Sequence, residues 1–226
     1  MHIEPGLVDG TKIVLSYATA AAAGGGALKS IVSSLGEKGP VSLAIRSLIA
    51  TVGVFVFFEV MPHFPIGVSE VHLILGSTLF LILGGAPSAI GLALGLLVQG
   101  LFFSPTDLPQ YGMNVTTLLV PLFALQMLAK RIIAPGTAYV DLQYRQALTL
   151  STAFQGGVVA WVAFWAIYGN GLGAQNLASI ATFGAAYMSV VLVEPLIDLA
   201  VLAAAKTLRP LLDGSSLVGA RLFKAA

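Results

Sequence analysis

Charge is too scarce in this chain to build a surface that faces water. Only 9% of the residues are Asp, Glu, Lys or Arg, 57% are hydrophobic, and mean hydropathy is +0.93. A soluble domain carries roughly 25% charged residues, so the chain reads as an integral membrane protein. Its 226 residues allow about seven crossings of roughly 20 residues each with short connections. No length remains for a separate soluble catalytic or ATPase domain, so energy for transport has to come from a gradient or a partner subunit. The chain has no cysteine, which excludes disulfides and thiolate metal sites. A net charge of +1 identifies no partner, and nucleic acid is not expected as one.

The expected fold is all-α: a polytopic membrane helical bundle of about seven transmembrane helices in a single domain, residues 1–226. The first helix is expected over about Leu7 to Leu35, with an Ala/Gly-rich middle, Ala20 to Ala27, whose small side chains allow close helix packing within the chain or against another subunit. A charged turn, Gly36 to Pro40, precedes a second helix over about Val41 to Met61. Pro62 to Ser69 is a loop punctuated by Pro and Gly. A third helix follows over about Glu70 to Leu83, then a Gly84-Gly85-Ala86-Pro87 reversal and a fourth helix to about Phe103. These two are short enough to require tilting or shielding by neighbours. The fifth spans about Met113 to Ile133, the sixth Tyr144 to Tyr168 with an interruption at Gly156-Gly157, and the last Asn176 to Leu208 before a mildly basic tail. The start does not read as a cleaved secretory signal, because Glu4 and Asp9 spoil the basic region and the apolar core is short; Met1 is taken as retained.

Lys and Arg set the expected orientation. Lys29, Lys38 and Arg46 flank the first connection, Lys130, Arg131 and Arg145 the one after the fifth helix, and Lys206, Arg209, Arg221 and Lys224 follow the last. Ten of the eleven therefore share one side, with Lys12 opposite, which makes that side cytoplasmic. The N-terminus is then outside, the C-terminus is cytoplasmic, and His2, His63 and His72 share the outer face with Glu4, Asp9, Glu59, Glu70 and Asp107.

That convergence points to metal. A free amine on Met1, the amide nitrogen of His2 and its imidazole can close adjoining chelate rings on one ion, leaving room for another imidazole. Nickel(II) and copper(II) favour such a tetragonal nitrogen field. An exposed terminal histidine that binds nothing is the plainer reading. His72, at the start of the expected third helix, is either a ligand or a histidine bonded to a loop carbonyl. Glu59 and His63 are spaced i, i+4 and would share a face if the second helix continued past Pro62, with Glu70 close in sequence. Asn114, Gln99 and Asp107 lie on the same side and could orient an imidazole, or simply bond between helices. In the last helix Glu194 and Asp198, also i, i+4, read either as a proton relay or as partners of Lys206 or of a basic partner. No His-Glu-x-x-His, phosphate loop or nucleophile elbow supports an enzyme or an ATPase, and no organic cofactor is expected.

Met1-His2-Ile3 with its Pro5-Gly6 turn, Val71-His72-Leu73-Ile74-Leu75-Gly76, Gly91 to Phe103 and Gly112-Met113-Asn114 resemble the cobalt/nickel substrate-binding membrane subunits (CbiM/NikM type) of energy-coupling factor ABC transporters. The resemblance covers the first half to two-thirds of the chain; the rest matches in hydropathy. It implies a seven-helix bundle with the N-terminus inserted from outside, and metal held by the Met1 amine, the His2 amide and imidazole, and the His72 imidazole. Asn114 resembles the family's asparagine near the site, and Glu70 and His63 are candidates for surrounding support. It also implies Ni²⁺ or Co²⁺ as transported substrate, a transmembrane coupling subunit, cytoplasmic ATPase subunits, an additional small membrane subunit left open, and residence in the cytoplasmic membrane of a bacterium or archaeon. The chain departs from the family's usual pattern in placing Glu4 before Pro5, Glu70-Val71 before the histidine, and Thr117 where many members have a second asparagine. From the residues alone two other readings stand: a gradient-driven secondary carrier using Glu194 and Asp198 as its relay, and a structural membrane subunit.

Overall fold

The computed structural model describes residues 3–224. Helices dominate: α1 (Val14–Phe55), α2 (Gly76–Leu83), α3 (Gly85–Phe102), α4 (Tyr111–Ile132), α5 (Tyr144–Asn170), α6 (Ala174–Met188), α7 (Glu194–Thr207) and a short α8 (Arg209–Leu212). Five helical stretches are long and apolar enough to cross a membrane: Gly10–Val60, Gly85–Phe102, Pro105–Ile132, Tyr144–Asn170 and Ala174–Thr207.

The first of these is two helices in one. Gly39 has φ +76°, outside the helical region, and Pro40 follows it. Proline cannot supply the backbone N–H that would carry the ladder across the break. The chain reverses here, since Arg46 of the second arm donates from Nη2 to Ser34 Oγ of the first at 3.2 Å. The first arm packs on α4, with Gly26 under the Phe123 ring. The second arm packs on α3, where Gly91 and Gly95, one turn apart, lie so close to Ala50 and Val54 that a Cβ on either would overlap them. Small residues four apart are how helices gain contact where the surrounding lipid is as apolar as they are. Counting the two arms separately and α6–α7 as one, and leaving aside the four-residue α8, seven helical units pack together among the described residues.

Three expected boundaries differ. The third helix begins at Gly76 rather than Glu70, because Ser69–Val71 pairs antiparallel with Phe64–Ile66 as a hairpin of β2 (Ser69–Val71) on β1 (Phe64–Ile66). A two-residue turn, Gly67-Val68, joins them, with Gly67 at φ +66°. The remaining helix, α2, has eight residues, about 12 Å at the helical rise, and six of the eight are buried. The last helix is broken at Ser189–Leu192, ahead of Pro195 in the first turn of α7. Conversely α5 runs through Gly156-Gly157 without interruption, and Gly157 lets Pro121 of α4 approach.

The core runs the length of the bundle, through Phe58, Leu92, Leu118, Phe154, Trp165 and Phe183, all fully buried. The tail after α8 folds back across one end. Gly219 N donates to Ile82 O at 2.7 Å, Tyr139 N to Arg221 O at 3.1 Å and Val140 N to Leu222 O at 3.2 Å. Burial pushes the Tyr139 hydroxyl above its ordinary pKa, and the Arg221 guanidinium beside it offsets part of that rise.

Candidate metal site

The hairpin is the element that positions the site. Ile3 forms an antiparallel bridge with Ser69, Glu4 N donates to Val68 O at 3.3 Å, and the N-terminal segment thereby lies along β2. Ile3 is fully buried. Its N–H donates to Asn114 Oδ1 at 3.0 Å. The Gln110 amide, oriented to satisfy both neighbours, donates to Ile3 O at 2.7 Å and accepts from Gly6 N at 3.2 Å. Every backbone polar group of Ile3 is therefore held by the bundle, as buried amides require. Met1 and His2, the expected terminal ligands, lie outside the described residues.

His72 follows β2 directly, four residues ahead of α2 and not at a helix start, and is 1% exposed. Its Nε2 lies 3.0 Å from Glu70 Oε2. A neutral imidazole that donates from Nε2 carries its lone pair on Nδ1, so Glu70 selects the tautomer and adds basicity to the ring. The Phe58 ring meets His72 edge-on at 5.1 Å between centroids, and His63 stacks on it at 4.9 Å and 14°. Leu75, at φ +54°, then turns the chain into α2.

Glu59 and His63 do not share a helix face. A π turn over Val56–Val60, closed by Met61 N on Val56 O, ends the second arm of α1. His63 Nδ1 lies 3.3 Å from Met61 O, and Glu59 Oε2 instead accepts from Gln99 Nε2 at 3.1 Å. Gln99 also donates to Phe58 O at 3.3 Å. Asp107 sits in the 3-10 turn Pro105–Gln110. Of the expected residues, His72, Glu70 and His63 come together, and Asn114 holds the strand that runs beside them. Among the described residues no three His, Cys, Asp or Glu side chains gather as a metal-ligand group. Gln110 was not singled out in the sequence, although a glutamine just ahead of an apolar helix was a signal for it.

A second polar cluster lies deep in the bundle. Glu194 and Asp198 are fully buried. Asp198 accepts from Ser77 Oγ at 2.8 Å and from Thr78 of α2, and Glu194 accepts from Ser151 and from Gln155 Nε2 of α5 at 2.7 Å for the latter. The expected pairing with Lys206 does not form, because Lys206 faces Asp141 at 2.7 Å.

A family model described as the cobalt uptake substrate-specific transmembrane region, CbiM, matches residues 2–212. The chain belongs to this family. No curated protein and no solved structure matches it. The CbiM match reaches beyond the stretches that carried the resemblance in sequence, through α5, α6 and α7. This CbiM chain is thus a multi-pass membrane component of cobalt uptake, a transport subunit rather than an enzyme, of a kind that works with other transporter subunits.

Proposed function

We propose that the chain captures Co²⁺ or Ni²⁺ at its outer face through the Met1 amine, the His2 amide and imidazole, and the His72 imidazole, and passes it on within an energy-coupling factor complex. The observation that carries this reading is the anchoring of Ile3. Its N–H on Asn114 and its bridge to Ser69 tie the residue after His2 to the strand that leads, three residues on, to His72. Four nitrogens on adjoining chelate rings suit a tetragonal ion, and Glu70 keeps the fourth nitrogen in the right tautomer. Cytoplasmic ATPases and a coupling subunit would supply the energy; a small accessory membrane subunit is compatible with this arrangement. Ala21, Ala22, Gly24 and Gly25 form an exposed run on the first arm of α1, and no atom lies near a Cβ built on Gly24 or Gly25. This run is the proposed docking face for the coupling subunit. Ala22→Leu or Gly25→Leu is expected to block assembly while the isolated bundle folds normally.

The decisive experiment compares binding of Ni²⁺ and Co²⁺ by protein with its native N-terminus and by protein carrying one extra residue before Met1. The extension keeps every side chain but takes the free amine out of the chelate. Loss of binding, together with loss of the d–d spectrum of planar nitrogen-bound nickel, is the expected result. Equal binding by both would overturn the terminal chelate and shift attention to Glu59, His63, Glu70 and His72.

A gradient-driven carrier is the second reading, favoured by the burial of Glu194 and Asp198 with only hydroxyl and amide partners among the described residues. It requires uptake without any ATPase partner.

A further inference from the structure

At the end of the bundle opposite the histidines lies a cavity of about 590 Å³, walled by the first arm of α1, the α2–α3 junction, α4 and the folded-back tail. Five cationic side chains line it, Lys29, Arg46, Lys130, Arg221 and Lys224, against one carboxylate, Glu37. Retention of a membrane orientation needs positive charge on one side. It does not need those charges to converge on a concave space. Lys206 and Arg209, at the same end, do not line the cavity and are already paired with Asp141 and Asp213.

The buried side-chain groups left without partners in this cavity are donors. Gln126 Nε2 and Arg221 Nε are buried and have no acceptor among the described residues. Lys29, Lys130 and Lys224 are exposed and form no ion pair among the described residues. Gly85 and Ala86, also in the wall, open the 18-residue α3, whose N-terminus carries the positive end of the helix dipole. Arg46 and Arg221 are rigidly held. Arg46 donates to Leu83 O at 2.6 Å and to Ser34, and Arg221 donates to Ala134 O at 2.8 Å with its guanidinium over the Tyr139 ring. Two fixed guanidinium groups and three exposed ammonium groups around a space of this size make a receptor for a compact polyanion.

We propose that this cavity binds a phosphate-bearing anion. The phosphate arrives either on an anionic phospholipid or as a soluble phosphate. Basic pockets between transmembrane helices recognise lipid phosphate in this way.

The test uses the full chain in nanodiscs of phosphatidylcholine with a minor fraction of phosphatidylglycerol, released for native mass spectrometry. Three proteins are compared: wild type, the triple variant Lys29→Gln, Lys130→Gln, Lys224→Gln, and a control carrying Lys206→Gln and Arg209→Gln. Metal binding and melting temperature verify that each is folded. Wild type and control are expected to retain phosphatidylglycerol, and the triple variant to lose at least about tenfold in occupancy, since each of the three ammonium groups adds to the attraction of the anionic headgroup. Displacement of the lipid by inorganic phosphate would assign the soluble anion; resistance to displacement assigns the lipid. Equal retention by wild type and triple variant, an equal loss in the control, or binding of neither lipid nor phosphate overturns the site.

Discussion

At the scale of single residues, the proposed metal site rests on two contacts that can be tested separately. Glu70 acts on His72 through its charge as well as its acceptor oxygen, so Glu70→Gln keeps an acceptor for Nε2–H and loses the charge. Metal affinity is expected to fall about tenfold, and Glu70→Ala should lose up to about 100-fold, the range for removing the group that orients a ligating imidazole. Titration calorimetry with Ni²⁺ reads both; no change in either would separate Glu70 from the site. Asn114 works on the backbone instead. Asn114→Leu leaves the buried Ile3 N–H without its acceptor, at a cost of about 1–3 kcal/mol. The apo protein is therefore expected to melt earlier, and, on the proposed terminal chelate, the rise in melting temperature on adding metal is expected to shrink as well, because Ile3 no longer anchors the segment that carries it. A lower apo melting temperature with the full metal-induced rise would mean that Asn114 serves the fold alone. Affinity is also expected to fall as pH drops through the histidine range, since protons compete for the same nitrogens as the metal.

At the scale of elements, two glycines with positive φ distinguish backbone strain from crowding. A Cβ on Gly39 meets no atom, so Gly39→Ala carries only the positive-φ backbone penalty, about 1–3 kcal/mol. A Cβ on Gly67 would run into the Ser179 carbonyl of α6, so Gly67→Ala adds a clash to the same penalty and displaces the hairpin that leads to His72. Unfolding titrations should rank Gly67→Ala as the more destabilising, and it alone should weaken metal binding. Equal costs would show that the hairpin yields freely. The sequence made most of the spans legible because burial in lipid demands long apolar runs. The distribution of Lys and Arg led to an expected common side for the histidines, and of these the structure brings His63 onto His72. The hairpin escaped because Ser69-Glu70-Val71-His72 carries no local preference strong enough to resist a helix. Pairing with Phe64–Ile66, extended by a bridge from Ile3 more than 60 positions away, decides its conformation. The break before Pro195 carried a local signal, yet the unbroken hydropathy around it hid the change from α6 to α7. Asn114 was recognisable as a polar residue in an apolar helix, but its partner is a backbone amide that no side-chain pattern announces.

At the scale of the whole molecule, the two polar clusters ask which of them drives transport, and Glu194 gives the answer experimentally. Ser151 and Gln155 both donate to Glu194 Oε2, while Glu194 Oε1 and Gln155 Oε1 are buried with no partner among the described residues. Two acceptors left over in one place call for a donor. A proton on Oε1 would supply it, which is the chemistry a relay residue needs. An amide at the same position supplies it permanently: in Glu194→Gln the carbonyl can still accept from Ser151 and Gln155, and the new NH₂ can donate to Gln155 Oε1. The substitution also removes one of two carboxylates a single helical turn apart in a buried setting, and replacing buried charge by a well-bonded neutral group is frequently stabilising. Glu194→Gln is therefore expected to raise the melting temperature. If transport is driven by partner ATPases, cobalt uptake by the assembled complex should survive this change, because the proton is not part of the cycle. If the chain is a gradient-driven carrier, the same variant should be folded, more stable and inactive, since the amide can no longer load or release a proton. Uptake in proteoliposomes with and without the ATPase partners, measured for both proteins, separates the two: ATP-dependent uptake unchanged in Glu194→Gln retires the relay, whereas partner-free uptake abolished by it would overturn the energy-coupling reading.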